Sequence, residues 1–255
     1  MKDLFRNISH RCAAVLSRSA FLAKAAQRIA DYRKGNNNPD MATNGELDFL
    51  ARRADGLRLV FDVGANKGDW TRAVLKLKKD VQVIAFEPDP AMYEIFAADR
   101  FPENVNCENE GLGAEKGEFT LYVHASSGMN SFVKRGMFDE GELTEKKARI
   151  TTVDAYCAEH HIEKVDYMKI DVEGFELGVL RGAQRMLKEK RIAALQFEYG
   201  GTYLDSGISL REIFDLLHAA GYAVYKLLPR EAMKIDAYSP LLEDYQYSNY
   251  AAVAE

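Results

Sequence analysis

The stretch VFDVGANKGDW, residues 60–70, decides the fold class of this chain. A short apolar run ends at Asp62, glycines follow at positions 64 and 68, and a polar segment compatible with a helix comes next. Glycines between a strand and a helix allow a tight turn and let a ligand approach the backbone closely. The stretch therefore predicts a ligand-binding loop at the carboxyl end of a strand.

Composition narrows the class of protein. The chain has 255 residues, 47% of them hydrophobic, which is enough for one sizeable core or for one domain with an appendage. A net charge of -5 gives no general case for nucleic-acid binding. The three cysteines lie far apart without metal-ligand spacing, so we expect free thiols in a reducing compartment. No apolar run could span a bilayer and no secretory signal is evident, so the expected location is cytoplasmic.

Residues 1–34 differ from the rest, with eight Lys or Arg residues against two Asp residues and an approximate apolar stripe. One interpretation is a helix that lies on a membrane surface, at the inner face, or binds a partner. The favoured interpretation is an ordinary surface helix, packed on the domain or partly frayed, with solvated charges. Because the segment GNNNPD breaks the helix, we predict a basic helical extension over 1–40 and a second domain over 41–255.

Beyond that break, strand and helix patterns alternate. The predicted strands span 57–62, 81–87, 105–112, 118–124, 165–171, 193–198, 222–228 and 247–253. The predicted helices span 70–78, 90–100, 152–160, 177–190 and 210–220. Such alternation indicates a mostly parallel sheet with helices on both faces. The last two strands follow each other without a helix, which predicts an antiparallel hairpin at the sheet edge.

The glycine loop itself restricts the ligand. A dinucleotide fingerprint would need glycine at 64, 66 and 69, but the chain has Asn66 and Asp69, and no P-loop lysine follows. A carboxylate at the start of the loop and the lack of a phosphate cradle suit a ligand with a cationic centre and no phosphate, such as S-adenosylmethionine. Glu87 lies about 20 residues farther on, where doubly wound folds place an acid on the ribose hydroxyls.

With these residues, the chain resembles the FkbM family of S-adenosylmethionine-dependent methyltransferases over about residues 44–254. The matching segments are VFDVGANKGDW, VIAFEPDP, NCENEGLGAEKGEFTLYV, the long segment from ITTVDAYC to LRGAQRML, and YSNYAAVA, with KIDVEGFELGVLRGA the most specific. The resemblance implies an α/β, class I methyltransferase (Rossmann-like) fold with seven strands, the last antiparallel. It also implies O-methylation, often of a sugar or natural-product hydroxyl.

The resemblance also implies cofactor-binding roles for individual residues. Around the methionine moiety it places Asp62, Gly64, Asn66 and Gly68. It places Glu87 on the ribose. Bordering the adenine it places Glu110, Gly111 and Leu112, although Leu112 is equally compatible with core packing.

The candidate chemical residues follow the later strands. A sugar hydroxyl is a poor nucleophile, so a base or a metal would help the transfer. Asp171 ends one predicted strand and Glu198 the next, and we take this pair as the chemical centre. Two carboxylates could hold Mg²⁺ or another divalent cation; alternatively, Glu198 hydrogen-bonds the substrate or the backbone without a metal.

Weaker candidates surround this pair. Glu173 follows in the turn, and Lys169 shares a strand face with Asp171, as an ion-pair partner or to orient the substrate. His124 is a candidate base or an ordinary surface residue. The loop after it carries possible sugar-binding residues or simple loop formers, namely Ser126, Ser127, Asn130 and Ser131. The glycines at 200 and 201 predict a mobile substrate loop, and Glu176 is expected to cap a helix.

These observations predict an S-adenosylmethionine-dependent O-methyltransferase that acts on a hydroxyl of a carbohydrate or glycosylated metabolite. Alternatives are a methyltransferase of a lipid, a natural product or a nitrogen acceptor, and a non-catalytic cofactor-binding module. A nucleic-acid methyltransferase recruited through the basic first 34 residues is disfavoured, because the remaining residues carry a net charge of -11.

Overall fold

Two β-sheets carry the fold in this computed structural model, which describes residues 17–124, 130–134 and 143–255. The strands are β1 Leu59–Val63, β2 Gln82–Phe86, β3 Val105–Glu108, β4 Gly111–Leu112, β5 Gly117–His124, β6 Leu143–Thr151, β7 Tyr167–Ile170, β8 Ala194–Tyr199, β9 Tyr222–Leu228, β10 Glu231–Ile235 and β11 Ser248–Ala254. The α-helices are α1 Ala20–Lys34, α2 Glu46–Ala51, α3 Asp69–Leu77, α4 Pro90–Ala98, α5 Val153–Glu159, α6 Glu176–Arg181, α7 Gln184–Lys188, α8 Thr202–Ser206 and α9 Leu210–Ala219.

The large sheet has the order β3-β2-β1-β7-β8-β11-β9-β10. The strands from β3 to β8 pair in parallel, and β11 runs antiparallel to both β8 and β9. In this order the last strand, β11, lies between β8 and β9 and is antiparallel to both. The order confirms the class I methyltransferase fold. Only β11 and β10 run in the opposite direction to the other strands of this sheet. The carboxyl ends of the parallel strands therefore lie at the same end of the sheet.

Two details of the predicted sheet are wrong. The sheet has eight strands instead of seven, because the short polar strand β10 pairs with β9 and becomes the edge. The last predicted strand does pair antiparallel with β9, but it lies between β8 and β9 and not at the edge. A hairpin rule based on chain neighbours misses this insertion, which buries the apolar β11 on both sides.

Both faces of the sheet are covered by helices. Along β1, Val60 packs in one apolar cluster with Trp70 of α3, whereas Phe61 and Val63 pack in the other with Tyr156 of α5. A strand covered on both faces reads as a continuous apolar run, as this one does. The core therefore leaves the strand ends as the place for polar side chains.

A second sheet has the order β4-β6-β5. The strand predicted over 118–124 belongs here and not to the large sheet, because it pairs antiparallel with β6. The sequence analysis missed β6, whose charged residues conceal its alternation. Asp89, only 1% exposed, accepts hydrogen bonds from Lys146 of β6 at 2.8 Å and from Asn130 at 2.8 Å. These bonds fasten the small sheet beside the end of β2.

Helix α1, Ala20–Lys34, makes up most of the described part of the basic segment 1–34, as expected. Residues 1–16 of that segment lie outside the described ranges. Gly35 ends the helix in a left-handed conformation with φ 66°. The next residue, Asn36, is buried and bridges to Ser248 at the start of β11. Across the described ranges, no helix combines the length and apolar character needed to cross a membrane.

Candidate functional site

A cleft opens at the carboxyl ends of β1, β2 and β7, under the small sheet. Its lining includes nine of the residues that the sequence analysis singled out: Gly64, Asn66, Glu87, Gly111, Leu112, Asn130, Ser131, Asp171 and Glu173. Because these residues come from five separate segments of the chain, their convergence is a property of the fold. The cleft is therefore the candidate functional site.

Gly64 brings the first strand and the loop close to the neighbouring strand. Its φ of 82° lies in the left-handed region, and a Cβ atom there would collide with the backbone carbonyl of Asp171. The N–H groups of Gly64 and Ala65 both donate to the carbonyl of Phe86, at 3.0 and 3.1 Å. The loop is thus held against β2 and β7 with bare backbone facing the cleft.

Glu87 forms a polar wall of the cleft just beyond β2. Its two carboxylate oxygens accept hydrogen bonds from the backbone N–H groups of Asn66, at 2.7 Å, and Asp89, at 2.8 Å. Burial raises the pKa of this carboxyl group to about 7, although both N–H groups oppose the rise. Since a carboxylate oxygen can accept more than one hydrogen bond, Glu87 keeps acceptor capacity for a ligand diol.

Gly111 and Leu112 form an apolar wall with Phe132. A Cβ atom on Gly111 would lie 2.8 Å from the Phe132 ring, which in turn lies 5.5 Å from the Phe175 ring, centroid to centroid. Gly111, Leu112 and Phe132 therefore give the cleft an apolar wall that includes an aromatic ring. The sequence analysis missed Phe132 because it follows a weakly patterned loop.

Three of the proposed cofactor residues lie outside this lining. Asp62 is fully buried, where it accepts a 2.7 Å hydrogen bond from Thr71, and burial raises its pKa. Gly68 starts α3 with φ 82° and backs onto Phe96. Glu110 borders a different surface depression that also contains Arg149. Asp62 and Gly68 therefore shape the loop, and Glu110 lies outside the cleft lining.

The two acids of the predicted chemical centre come together with the weaker candidate Glu173. Carboxylate oxygens of Asp171, Glu173 and Glu198 all lie within 4.8 Å of one another. Burial raises the pKa of Glu198, and the negative charges of Asp171 and Glu173 raise it further. The strand pairing explains the meeting, because β7 and β8 are parallel neighbours whose ends share one edge.

Lys169 contacts this cluster from within the sheet. Its Nζ lies 2.8 Å from Asp171 Oδ2, and the residue is 7% exposed. Burial alone would lower the pKa of Lys169, but the surrounding carboxylates, led by Asp171 and Asp62, outweigh burial and raise it. The lysine therefore stays charged, and one cation faces several acids.

Residues far away in sequence hold Glu198 in place. The Tyr247 hydroxyl donates to Glu198 Oε1 at 2.8 Å, and the amide of Asn249 donates to Tyr247 at 3.3 Å and to Glu46 at 3.1 Å. Gln196 also donates to Glu46, at 2.6 Å. The sequence analysis missed this buried network, since no local pattern connects α2 with β8 and β11.

The remaining candidates divide. Asn130 and Ser131 line the cleft, and the Ser131 hydroxyl donates to the Glu173 carbonyl at 2.8 Å. His124 is 5% exposed, so the expectation of a surface residue is wrong, and it is absent from the cleft lining. Ser126 and Ser127 lie outside the described residues.

Two expectations concern the turns beside the acids. Glu176 is the first residue of α6 and does not cap it, because its carboxylate accepts hydrogen bonds from the backbone N–H groups of Val172 and Gly174 in the preceding turn. The predicted loop after Gly200 is instead the short helix α8, which begins at Thr202 and packs close to Gly174. This side of the cleft is therefore built from regular structure.

The sequence of this chain is similar to those of known methyltransferases. Residues 62–224 match the family model described as Methyltransferase FkbM domain. The chain is 24% identical over 220 residues to the 2-O-methyltransferase NoeI of Sinorhizobium fredii, covering 78% of this chain and 87% of that protein. It is 28% identical over 163 residues to the hexuronic acid methyltransferase AglP of Haloferax volcanii, covering 61% and 64%.

A solved structure of similar shape is Methyltransferase FkbM from Methylobacillus flagellatus KT. It is 16% identical with a TM-score of 0.47, covering 77% of this chain and 43% of that chain. The present chain thus spans less than half the length of that protein.

Proposed function

We propose that this chain, which belongs to the FkbM methyltransferase family, transfers a methyl group to a hydroxyl group of a carbohydrate or glycosylated metabolite. Family membership makes it an S-adenosylmethionine-dependent methyltransferase, and the chemical class of the acceptor is the proposal. The single observation that carries it is the meeting of two half-sites: Glu87 beside the glycine loop and Asp171 with Glu173 line one cleft, and Glu198 lies next to the latter two acids.

The first half-site fits S-adenosylmethionine, which supplies an electrophilic methyl group on a sulfonium. Gly64 lets the loop pack against the Asp171 carbonyl beside the cleft, and the Glu87 carboxylate can accept from both ribose hydroxyls. The apolar wall with Leu112 and Phe132 would suit the adenine. Asp62 would support cofactor binding indirectly, because its hydrogen bond with Thr71 fixes the loop.

The second half-site supports a hydroxyl acceptor. Asp171 and Glu198 can accept a proton or a hydrogen bond from a hydroxyl and so orient its oxygen for in-line attack. Lys169 holds Asp171 in place through their ion pair. The printed names of both relatives, a 2-O-methyltransferase and a hexuronic acid methyltransferase, lend support to a sugar hydroxyl.

The same acids are also the proposed ligands of a divalent cation. Asp171 and Glu198, joined by Glu173, present carboxylate oxygens close enough for one ion, and hard cations prefer oxygen ligands. Such an ion would polarise the acceptor hydroxyl and offset the repulsion between the acids. Titration with magnesium, with and without acceptor, tests this part separately.

The decisive experiment separates cofactor binding from transfer. Calorimetry would measure the affinity for S-adenosylmethionine in the wild type, Glu87→Ala and Asp171→Asn, and mass spectrometry would follow methylation of a panel of soluble sugars. We expect Glu87→Ala to lose binding, and Asp171→Asn to keep it while transfer falls by at least about 100-fold. Equal loss of both in Asp171→Asn would contradict its chemical role.

Two further results would change the assignment. A wild type that binds the cofactor but methylates no sugar would favour a lipid, natural-product or nitrogen acceptor, or a non-catalytic module. A wild type that binds no cofactor would overturn the site itself.

A further inference from the structure

Helix α1 projects its apolar side chains into solvent. Within its fifteen residues only Asp31 is buried. Phe21 is 78% exposed, Ile29 64%, Tyr32 46% and Leu22 42%. Solvated charges were expected for this segment, but an exposed row of large apolar residues costs free energy in water. Such a face is typical of a surface that meets a partner.

The charges on α1 flank this apolar face. At about 100° per residue, Phe21, Ala25, Ile29 and Tyr32 fall on one stripe of the helix. The exposed basic residues Lys24 and Arg28 border the stripe on one side, and Arg33 borders it on the other. The one acid of the helix points away: Asp31 accepts hydrogen bonds from Gln27 at 2.6 Å and from Asn37 at 3.2 Å. The exposed surface is therefore apolar at its centre and positive at its borders.

Helix α1 is attached at the end of the sheet where the cleft opens, beside the carboxyl ends of the parallel strands. The N–H of Asn37 donates to the Tyr247 carbonyl at 2.7 Å, and the side chain of Tyr247 contacts Glu198. Asn36 bridges to Ser248, which pairs with Tyr199 at the end of β8. Whatever α1 binds is thus brought to the same edge as the candidate acceptor site.

We propose that α1 docks on the surface of a bilayer that contains anionic lipids, with the stripe around Phe21 and Ile29 in the interface. An apolar centre with Lys and Arg on both borders matches this surface, because the side chains enter the interface while the cations meet lipid phosphates. A second copy of α1 is a poorer occupant, since pairing the stripes would bring the basic borders together.

This proposal adds a partner to the proposed function. Docking itself does not depend on methyl transfer. If the proposed function also holds, α1 would bring the cleft to hydroxyl groups carried on lipids.

Vesicle flotation of the full chain tests the docking. One set of vesicles contains phosphatidylcholine alone and the other adds phosphatidylglycerol. We expect binding to the anionic vesicles, and a loss of at least about tenfold in Lys24→Glu/Arg28→Glu and in Phe21→Ser/Ile29→Ser. Matched controls change exposed residues elsewhere: Lys79→Glu/Arg100→Glu and Leu241→Ser. The affinity for S-adenosylmethionine verifies that every variant is folded.

Several outcomes would overturn the proposal. They are no binding to anionic vesicles, equal binding to both vesicle types, or equal loss in the control variants. Light scattering adds another: a concentration-dependent dimer that Phe21→Ser/Ile29→Ser abolishes would assign the face to a second copy. Because flotation requires no acceptor, a negative result leaves the proposed function intact, and absent methylation leaves the docking intact.

Discussion

Replacing Gly64 tests whether the close packing of the glycine loop is needed for cofactor binding. Gly64→Ala places a Cβ against the Asp171 carbonyl at a φ of 82°. We expect S-adenosylmethionine binding to be lost and the free energy of unfolding to fall by about 1–3 kcal/mol. Calorimetry and urea unfolding would measure both effects.

Gly207 offers the matched control for this variant. It also has a positive φ, of 68°, but its Cβ would meet no atom within 4 Å. Gly207→Ala should cost about 1 kcal/mol from the backbone conformation alone and leave cofactor affinity unchanged. Similar losses of affinity in both variants would argue against a cradle at Gly64.

The buried carboxyl group of Glu87 predicts a pH dependence of cofactor binding. Burial raises its pKa to about 7 from the usual 4.5, so in the folded protein without ligand this carboxyl group is mostly protonated below about pH 7. The associated stability is complete below the usual pKa and is lost as pH rises through about 7. Ribose hydroxyls donate to the ionised form, so affinity should fall as pH drops through about 7, up to about tenfold per unit.

Glu87→Gln is the control for that titration. The amide keeps the shape of the side chain but does not ionise, so this variant should bind more weakly at neutral pH with a flatter pH profile. Calorimetry between about pH 5.5 and about pH 8.5 would compare the two proteins. An unchanged slope in Glu87→Gln would assign the pH dependence to another group.

At the scale of elements, the pairing of β8 with β11 should matter for catalysis. Tyr247 precedes β11 and donates to Glu198. Tyr247→Phe should lower the rate of methyl transfer by about tenfold, because the hydrogen bond from the Tyr247 hydroxyl positions the Glu198 carboxyl group. Cofactor affinity should stay the same. Tyr245→Phe, in the same segment, is the control, and its rate should match the wild type.

The ion pair between β6 and α4 should hold the small sheet in place. Lys146 reaches the buried Asp89, so Lys146→Gln should lower the free energy of unfolding by about 1–2 kcal/mol and weaken cofactor binding. Its neighbour Lys147 donates to the Thr120 hydroxyl on the exposed side, and Lys147→Gln should stay within about 0.5 kcal/mol of the wild type. Denaturant unfolding of both variants compares them, and equal effects would rule out a specific role for this pair.

At the scale of the whole molecule, the boundary of the extension can be tested. We propose that the catalytic unit begins near Gly35 and not at residue 41. Asn36 accepts from the buried Lys226 at 2.6 Å and donates to Gln246 at 3.0 Å, and Gly35 packs on Leu227. Removing residues 1–33 should leave the free energy of unfolding nearly unchanged. Removing 1–40 should lower it by about 2–4 kcal/mol, since buried polar groups lose their partners.

Urea unfolding of the two truncated chains provides the measurement. Equal stabilities would return the boundary to residue 41. A large loss already on removing 1–33 would mean that α1 belongs to the core.

Local pattern was enough to predict several features of this protein. The apolar run before Asp62, the glycines at 64 and 68, and the acid at 87 predicted a ligand-binding loop, and Gly64 and Glu87 do line the cleft, because strand periodicity and turn chemistry are local properties. The same holds for Asp171 and Glu198, which end two buried strands. The family resemblance added the class of fold and the cofactor.

The tertiary structure decided what those patterns could not. Only the folded chain places β11 between β8 and β9, adds β10 at the edge and sets β5 with β6 over the cleft. It also leaves Glu110 outside the cleft lining, buries Asp62 and brings Tyr247 to Glu198. The physical reason is that strand order and long-range hydrogen bonds depend on packing between distant segments, whereas hydrophobic periodicity reports only which faces of each segment are buried.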